Sequence, residues 1–164
     1  MTRTLLIVFH SITGGTAQMA QAAAAGAARE TTVQTRLLPA PQAGPGDLLA
    51  ADGYLFATPE TLASIAGLMK DFFERTYYPA LGRIEGRPYA ALICAGSDGQ
   101  NAARQLARIA TGWRLRAVAA PLIVCVRAQT PEAILAPKTI GPADLARCTE
   151  LGEALAAGLA AGIF

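Results

Sequence analysis

A chain of 164 residues, 52% of them hydrophobic, can bury one core of ordinary size and is too short for two full domains, so residues 1–164 are expected to form a single domain. Its formal charge of +2 is spread over basic residues that occur singly, as at Arg29, Arg36, Arg83 and Arg87, with no basic run interleaved with aromatics, which argues against nucleic acid as a partner. No uninterrupted apolar stretch reaches ~18 residues and the chain enters a strand pattern at once, with no signal-peptide core, so no membrane partner and a cytoplasmic location are expected.

The first strand is expected over residues 4–10, where Leu5-Leu6-Ile7-Val8-Phe9 is a continuous apolar run of the kind covered on both faces in a parallel sheet. It meets Ser11-Ile12-Thr13-Gly14-Gly15-Thr16 and then an Ala-rich helical segment. Such a turn leaves backbone N–H groups unpaired at the positive end of a helix dipole, and so suits a phosphate. The hydroxyls of Ser11, Thr13 and Thr16 add donors, and Gly14 and Gly15 let a ligand approach the backbone. The same residues would also serve as a plain strand-to-helix turn capped by Ser or Thr. No Lys follows the glycines and G-x-G-x-x-G is absent, which excludes the triphosphate loop and the dinucleotide fingerprint. His10, the only histidine, has no ligand or triad partners at suitable spacing and is expected to end the first strand beside this turn.

A second strand is expected over 32–38, and the turn-rich Pro39 to Gly46 connects it to a third over 53–57, with Tyr54-Leu55-Phe56-Ala57 as its strong run. Thr58-Pro59-Glu60-Thr61-Leu62-Ala63-Ser64 follows, where Thr61 or Ser64 would cap a helix whose apolar stripe is Ile65, Leu68, Met69, Phe72 and Phe73. Glu60 has no second carboxylate to pair with and is given no acid–base role. A fourth strand over 89–95 runs into Ala95-Gly96-Ser97-Asp98-Gly99-Gln100-Asn101, residues usual in a surface turn entering a helix, with Trp113 expected in the core at that helix's end. The last strand, around 116–126, contains Pro121, which marks a bend, bulge or edge. After it, Ala128 to Pro142 reads as a long proline-punctuated loop, and Leu145, Cys148, Gly152, Leu155 and Leu159 define a C-terminal helix opened by Pro142. Cys94, Cys125 and Cys148 form no C-x-x-C pair, and neither a disulfide frame nor a metal site is expected. Strands alternating with helices, under the right-handed crossover rule, give an α/β three-layer sandwich built on a five-stranded parallel sheet, with ligands expected at the carboxyl ends of the strands.

Ser11-Ile12-Thr13-Gly14-Gly15-Thr16, directly after the first strand, resembles the S/T-x-T-G-x-T loop with which flavodoxins wrap the 5′-phosphate of FMN. Thr58-Pro59-Glu60 followed by Gly67-Leu68-Met69-Lys70-Asp71-Phe72 and Thr76 resembles the second flavin loop and following helix of the quinone oxidoreductases related to the tryptophan-repressor-binding protein. The resemblance implies a strand order of 2-1-3-4-5 and FMN as cofactor, with NADPH or NADH as electron donor. It also implies flavin contacts from three loops: Ser11, Ile12, Thr13, Gly14, Gly15 and Thr16; then Thr58, Pro59, Glu60, Thr61 and Leu62; then Gly96, Ser97, Asp98 and Gly99.

Two departures bear on the reaction. Thr61 and Leu62 stand where the quinone oxidoreductases usually carry Arg and an aromatic, and no aromatic stands in the third loop, so one flavin face is expected to be open to a nicotinamide or a quinone. The chain also lacks the acidic excess with which electron-carrier flavodoxins dock on basic partners. The leading expectation is therefore NAD(P)H-dependent reduction of quinones or free flavin, a small-molecule electron acceptor being the partner. The alternative is a flavodoxin-type electron-transfer protein with a redox partner protein, and a third reading is an FMN-binding module with a regulatory role. Tyr77 and Tyr78 lie near the position where the quinone oxidoreductases place an aromatic against the pocket, often across a subunit boundary, so a homo-oligomer is among the assemblies implied; either tyrosine would equally serve as a packed or capping residue.

Overall fold

The computed structural model describes residues 1–164. Its strands are β1 (Arg3–Phe9), β2 (Val33–Pro39), β3 (Gly53–Thr61), β4 (Ser64–Ile65), β5 (Pro88–Ala95), β6 (Arg116–Ala117) and β7 (Leu122–Cys125). Its α-helices are α1 (Gly15–Ala27), α2 (Pro45–Ala50), α3 (Gly67–Ala80), α4 (Gln100–Gly112), α5 (Pro131–Leu135) and α6 (Pro142–Ala161). The sheet runs β2-β1-β3-β5, with β6 and β7 both parallel to β5 on its outer side. Taken as one broken edge strand, β6 and β7 complete the expected 2-1-3-4-5 order. Between the pairs Tyr89↔Ala117 and Leu92↔Leu122 the edge advances five residues while β5 advances three, so two residues are extruded next to Pro121, which has no N–H to give the ladder.

Successive side chains of the central strands point to opposite faces, and the two faces bury different chemistry. Leu6, Val8, Tyr54 and Phe56 face α2, α3 and α4, where Phe56 meets Phe73 edge-on at 5.3 Å between centroids and Trp113 lies stacked on Tyr77 at 5.6 Å. Such pairs add roughly 0.5–1.5 kcal/mol each to what area burial supplies. Leu5, Ile7, Leu55 and Leu92 face α1 and α6, where Met19, Ala20, Ala23, Leu155 and Ala156 fill a flatter layer without aromatics in its core. Small residues let those two helices touch backbone to backbone: a Cβ on Gly26 would overlap the Thr149 carbonyl, and one on Gly152 the Ala23 carbonyl.

Three elements differ from the sequence expectation. β3 does not stop at Ala57 but continues to Thr61 and turns back as β4, so the second loop is a β-hairpin and not a helix cap. Its extension is supported on one side only: β1 ends opposite Ala57 at Phe9, while β5 continues to pair up to Pro59↔Cys94, so the proline sits where one side of the strand has no ladder to break. Helix α3 accordingly starts at Gly67, Ile65 belongs to β4, Leu68 is exposed, and the buried stripe is Met69, Phe72, Phe73, Thr76 and Ala80. Tyr77 and Tyr78 fall within this helix. The connection after β2 holds α2, opened by Pro45 and by the Asp47 carboxylate accepting from the Gly44 amide at 2.9 Å. The long loop before α6 holds α5, capped by the Thr130 hydroxyl accepting from the Ala133 amide.

Candidate functional site

The carboxyl ends of β1, β3, β5 and β7 surround a cavity of about 480 Å³, within the usual range for a small-molecule site. Ser11, Ile12, Thr13, Gly15 and Thr16 line one end. Gly14, in the left-handed region at φ +96°, turns the chain into α1 behind them, and glycine is the residue that does so without strain. A Cβ on Gly15 would lie 2.7 Å from the Cys94 sulfur, so that turn packs directly on the Cys94 side chain of β5. The amides of residues 11–17 make no hydrogen bond within the chain, the first helical bond being Gln18 N to Gly14 O. Ser11 Oγ and Thr16 Oγ1 are also buried without a partner, two of only three such side-chain atoms in the protein. Orphaned buried donors cost roughly 1–3 kcal/mol each, and here they converge on one cavity at a helix N-terminus, the arrangement an anion satisfies. The residues present therefore fit a phosphate-bearing group such as that of FMN.

The second wall is the β3–β4 hairpin, from which Pro59, Glu60, Thr61, Leu62 and Ala63 line the cavity. Leu62 at φ +50° and Ala63 at φ +58° form its two-residue turn, a conformation glycine and asparagine prefer and these residues adopt at roughly 1 kcal/mol each. The strain is held by bonds to α4. Gln105 Oε1 accepts from the Ile65 amide at 2.9 Å, Asn101 donates to the Ala63 carbonyl, and Glu60 accepts from the Gly99 amide at 2.9 Å and the Ala102 amide at 3.1 Å. Glu60 thus serves as an anion on the N-terminus of α4, which joins the second loop to the third. From the third loop Ala95, Gly96 and Ser97 line the cavity. Gly96 is required by close approach, since a Cβ there would stand 2.8 Å from the Ala128 carbonyl oxygen.

Of the residues the sequence assigned, the structure sets Gly14, Thr58, Asp98 and Gly99 outside the wall. Thr58 is fully buried and its hydroxyl accepts from the Ala66 amide at 3.1 Å, ordering the entry to α3. Gly99, at φ +86°, begins α4. His10, its pKa lowered by burial, ends the strand beside the phosphate turn and stays out of the wall. Neither Tyr77 nor Tyr78 reaches the cavity within the chain; Tyr77 packs on Trp113 and Tyr78 is exposed.

Sequence reasoning missed the fourth wall, made by Val126, Ala128, Ile134, Leu135 and Lys138. Its one available signal was position, because the segment leaves the carboxyl end of the last strand and so opens on the edge where the other loops meet. Gln18 fastens this segment to the phosphate turn: its amide donates to Gly14 O at 3.0 Å and Lys138 O at 2.7 Å, and its carbonyl accepts from the Ile140 amide at 3.0 Å. The Lys138 amide adds a bond to Thr13 O at 2.8 Å. Lys138 is also the only cationic residue of the wall.

Cys94 lies under the phosphate turn, and burial pushes its thiol up against the smaller opposing pull of Lys138. The Thr16 hydroxyl is near enough to favour the thiolate slightly without making a hydrogen bond of normal geometry to it. Burial likewise pushes Cys148 up to about 11, while Cys125 is exposed. Alkylation of the native protein at neutral pH is expected to reach Cys125 first, since Cys148 is fully buried and Cys94, although it borders the cavity, is only 7% exposed and held protonated by burial. Rapid labelling of Cys94 on peptide mapping would contradict this placement.

Solved structures with this architecture define the class. A flavodoxin from the domain Archaea superposes with a TM-score of 0.77 over 96% of this chain and 99% of its own at 17% identity. A WrbA-like flavodoxin from Agrobacterium tumefaciens gives 0.69 over 94% and 96% at 20% identity. The fold is flavodoxin-like. Residues 39–130 match the family described as NADPH-dependent FMN reductase, and the chain belongs to that family. The matched stretch holds the second and third loops and leaves out the phosphate turn. A NAD(P)H dehydrogenase (quinone) of Acidithiobacillus ferrooxidans is 33% identical over 92 residues, covering 44% of this chain and 46% of that protein. A flavodoxin of Aquifex aeolicus is 30% identical over 95 residues, covering 58% and 51%. The chain spans about half the length of the curated relatives it matches. No helix is long and apolar enough to cross a membrane.

Proposed function

We infer that residues 1–164 act as one domain that binds FMN in this cavity and passes electrons from NADPH or NADH to a small-molecule acceptor, a quinone or a free flavin. The observation that carries the reading is the set of unpaired amides at residues 11–17 together with the orphaned hydroxyls of Ser11 and Thr16, all at one end of a cavity of about 480 Å³. FMN, when bound, supplies a ring that accepts a hydride and releases electrons singly or in pairs. The chain's own part is to bind and orient. Residues 11–16 would hold the phosphate, with the charge of Lys138 in the adjoining wall to complement it. The hairpin, fixed to α4 through Glu60, Gln105 and Asn101, and the Gly96–Ser97 backbone would hold the rest of the cofactor from two sides. Family membership supports the same reading.

A flavodoxin-type electron-transfer role is the second reading, favoured by the Aquifex aeolicus relative. Steady-state kinetics separates the two. The FMN-loaded protein is expected to oxidise NADPH or NADH continuously in the presence of a quinone, over many equivalents of enzyme. If neither nucleotide is consumed at saturation while the protein still binds FMN, the carrier reading replaces the reductase.

A further inference from the structure

Helix α5 buries none of its own residues. Burial normally holds a short helix in place, yet this one presents Ile134 at 52% and Leu135 at 76% exposure and is secured by polar ties at its ends. These ties are the Thr130 cap, the Lys138 ammonium donating to the Ile134 and Ala136 carbonyls, and the Gln18 clasp just beyond. Leu62, wholly exposed, stands at the tip of the strained hairpin, and Ile12 is 61% exposed in the phosphate turn. All four apolar side chains line the same cavity as the orphaned hydroxyls of Ser11 and Thr16. The cavity thus offers unpaired polar groups and uncovered aliphatic ones together. Its polar ties and its strain both go into holding apolar groups out toward solvent, which is unfavourable until something apolar covers them.

We propose that Ile134 and Leu135 of α5, with Leu62 of the hairpin, form an aliphatic clamp for the flavin ring, so that α5 is a cofactor-binding element. This rests on the FMN reading of the same cavity and deepens it by assigning a binding role to the segment after β7. The clamp touches the ring and not the phosphate. Its loss therefore weakens FMN and riboflavin alike, whereas damage to the phosphate turn weakens FMN alone.

The test uses the purified chain, stripped of flavin and titrated with FMN and with riboflavin. Ile134→Ser/Leu135→Ser is expected to lower both affinities by about tenfold, and because both side chains are exposed, to leave the melting temperature of the flavin-free protein unchanged. Leu135→Trp reports contact directly: an indole against the ring quenches the fluorescence of bound flavin, which in the wild type, with no aromatic in the wall, stays bright. Unchanged affinities for both flavins in the double Ser variant would overturn the clamp, as would undiminished fluorescence in the Trp variant. A wild-type protein that binds no FMN at all would instead overturn the cofactor reading, and the clamp with it.

Discussion

FMN is expected to bind this protein on the order of 100-fold or more tightly than riboflavin, because the phosphate satisfies two buried hydroxyls and a row of unpaired amides, each charge-assisted bond contributing roughly 1.5–3 kcal/mol. Thr16→Val sharpens the expectation by moving two observables in opposite directions. Thr16 is 2% exposed and its hydroxyl has no partner, so replacing it with a methyl of the same shape should stabilise the flavin-free protein by about 1 kcal/mol and weaken FMN about tenfold, with riboflavin unaffected. Thermal unfolding without ligand and calorimetric titration with each flavin read the two effects. Equal affinity of the wild type for FMN and riboflavin would remove the phosphate from this turn, and a flavin-free Thr16→Val protein less stable than wild type would mean the hydroxyl is satisfied in solution.

The largest expected loss of stability comes from Gly152→Val. In a helix interior the change should help, since glycine is worse than most residues there by up to ~1 kcal/mol. Here the new Cβ would overlap a main-chain oxygen of α1, at Ala23, which cannot rotate away, so α1 and α6 must separate and lose packing along their length. We expect a cost of roughly 3 kcal/mol or more, a large fraction of the stability of an ordinary domain. Ala157→Val, on the exposed side of the same helix, should cost no more than about 0.5 kcal/mol. Urea denaturation of the two variants measures the difference, and similar midpoints would mean the helices do not make this contact.

What the sequence made legible follows from where burial is two-sided. β1, β3 and β5 are covered on both faces, so Leu5–Phe9, Tyr54–Ala57 and Ala90–Cys94 read as continuous apolar runs, and the alternation with helices gave the class of fold. The polar extension of β3 through Thr58-Pro59-Glu60-Thr61 was not legible, because its pairing with β5 and its bonds to α4 come from residues some 35 to 45 positions later. The turn of residues 11–16 could be placed because its hydroxyls and glycines are contiguous and directly follow the first apolar run. The wall from Val126 to Lys138 could not, because α5 has no buried stripe and its relation to the site is purely spatial.

The clasp made by Gln18 has a kinetic consequence. It ties the start of α1 to Lys138 and Ile140 across 120 and 122 positions of sequence, contacts of very high order that close late during folding. During synthesis the phosphate turn emerges early, yet the segment that braces it emerges only after most of the chain, several seconds later at ~5–20 residues per second. A nascent or truncated chain ending before Lys138 would carry the turn without its brace, and is expected to retain less flavin than the full chain.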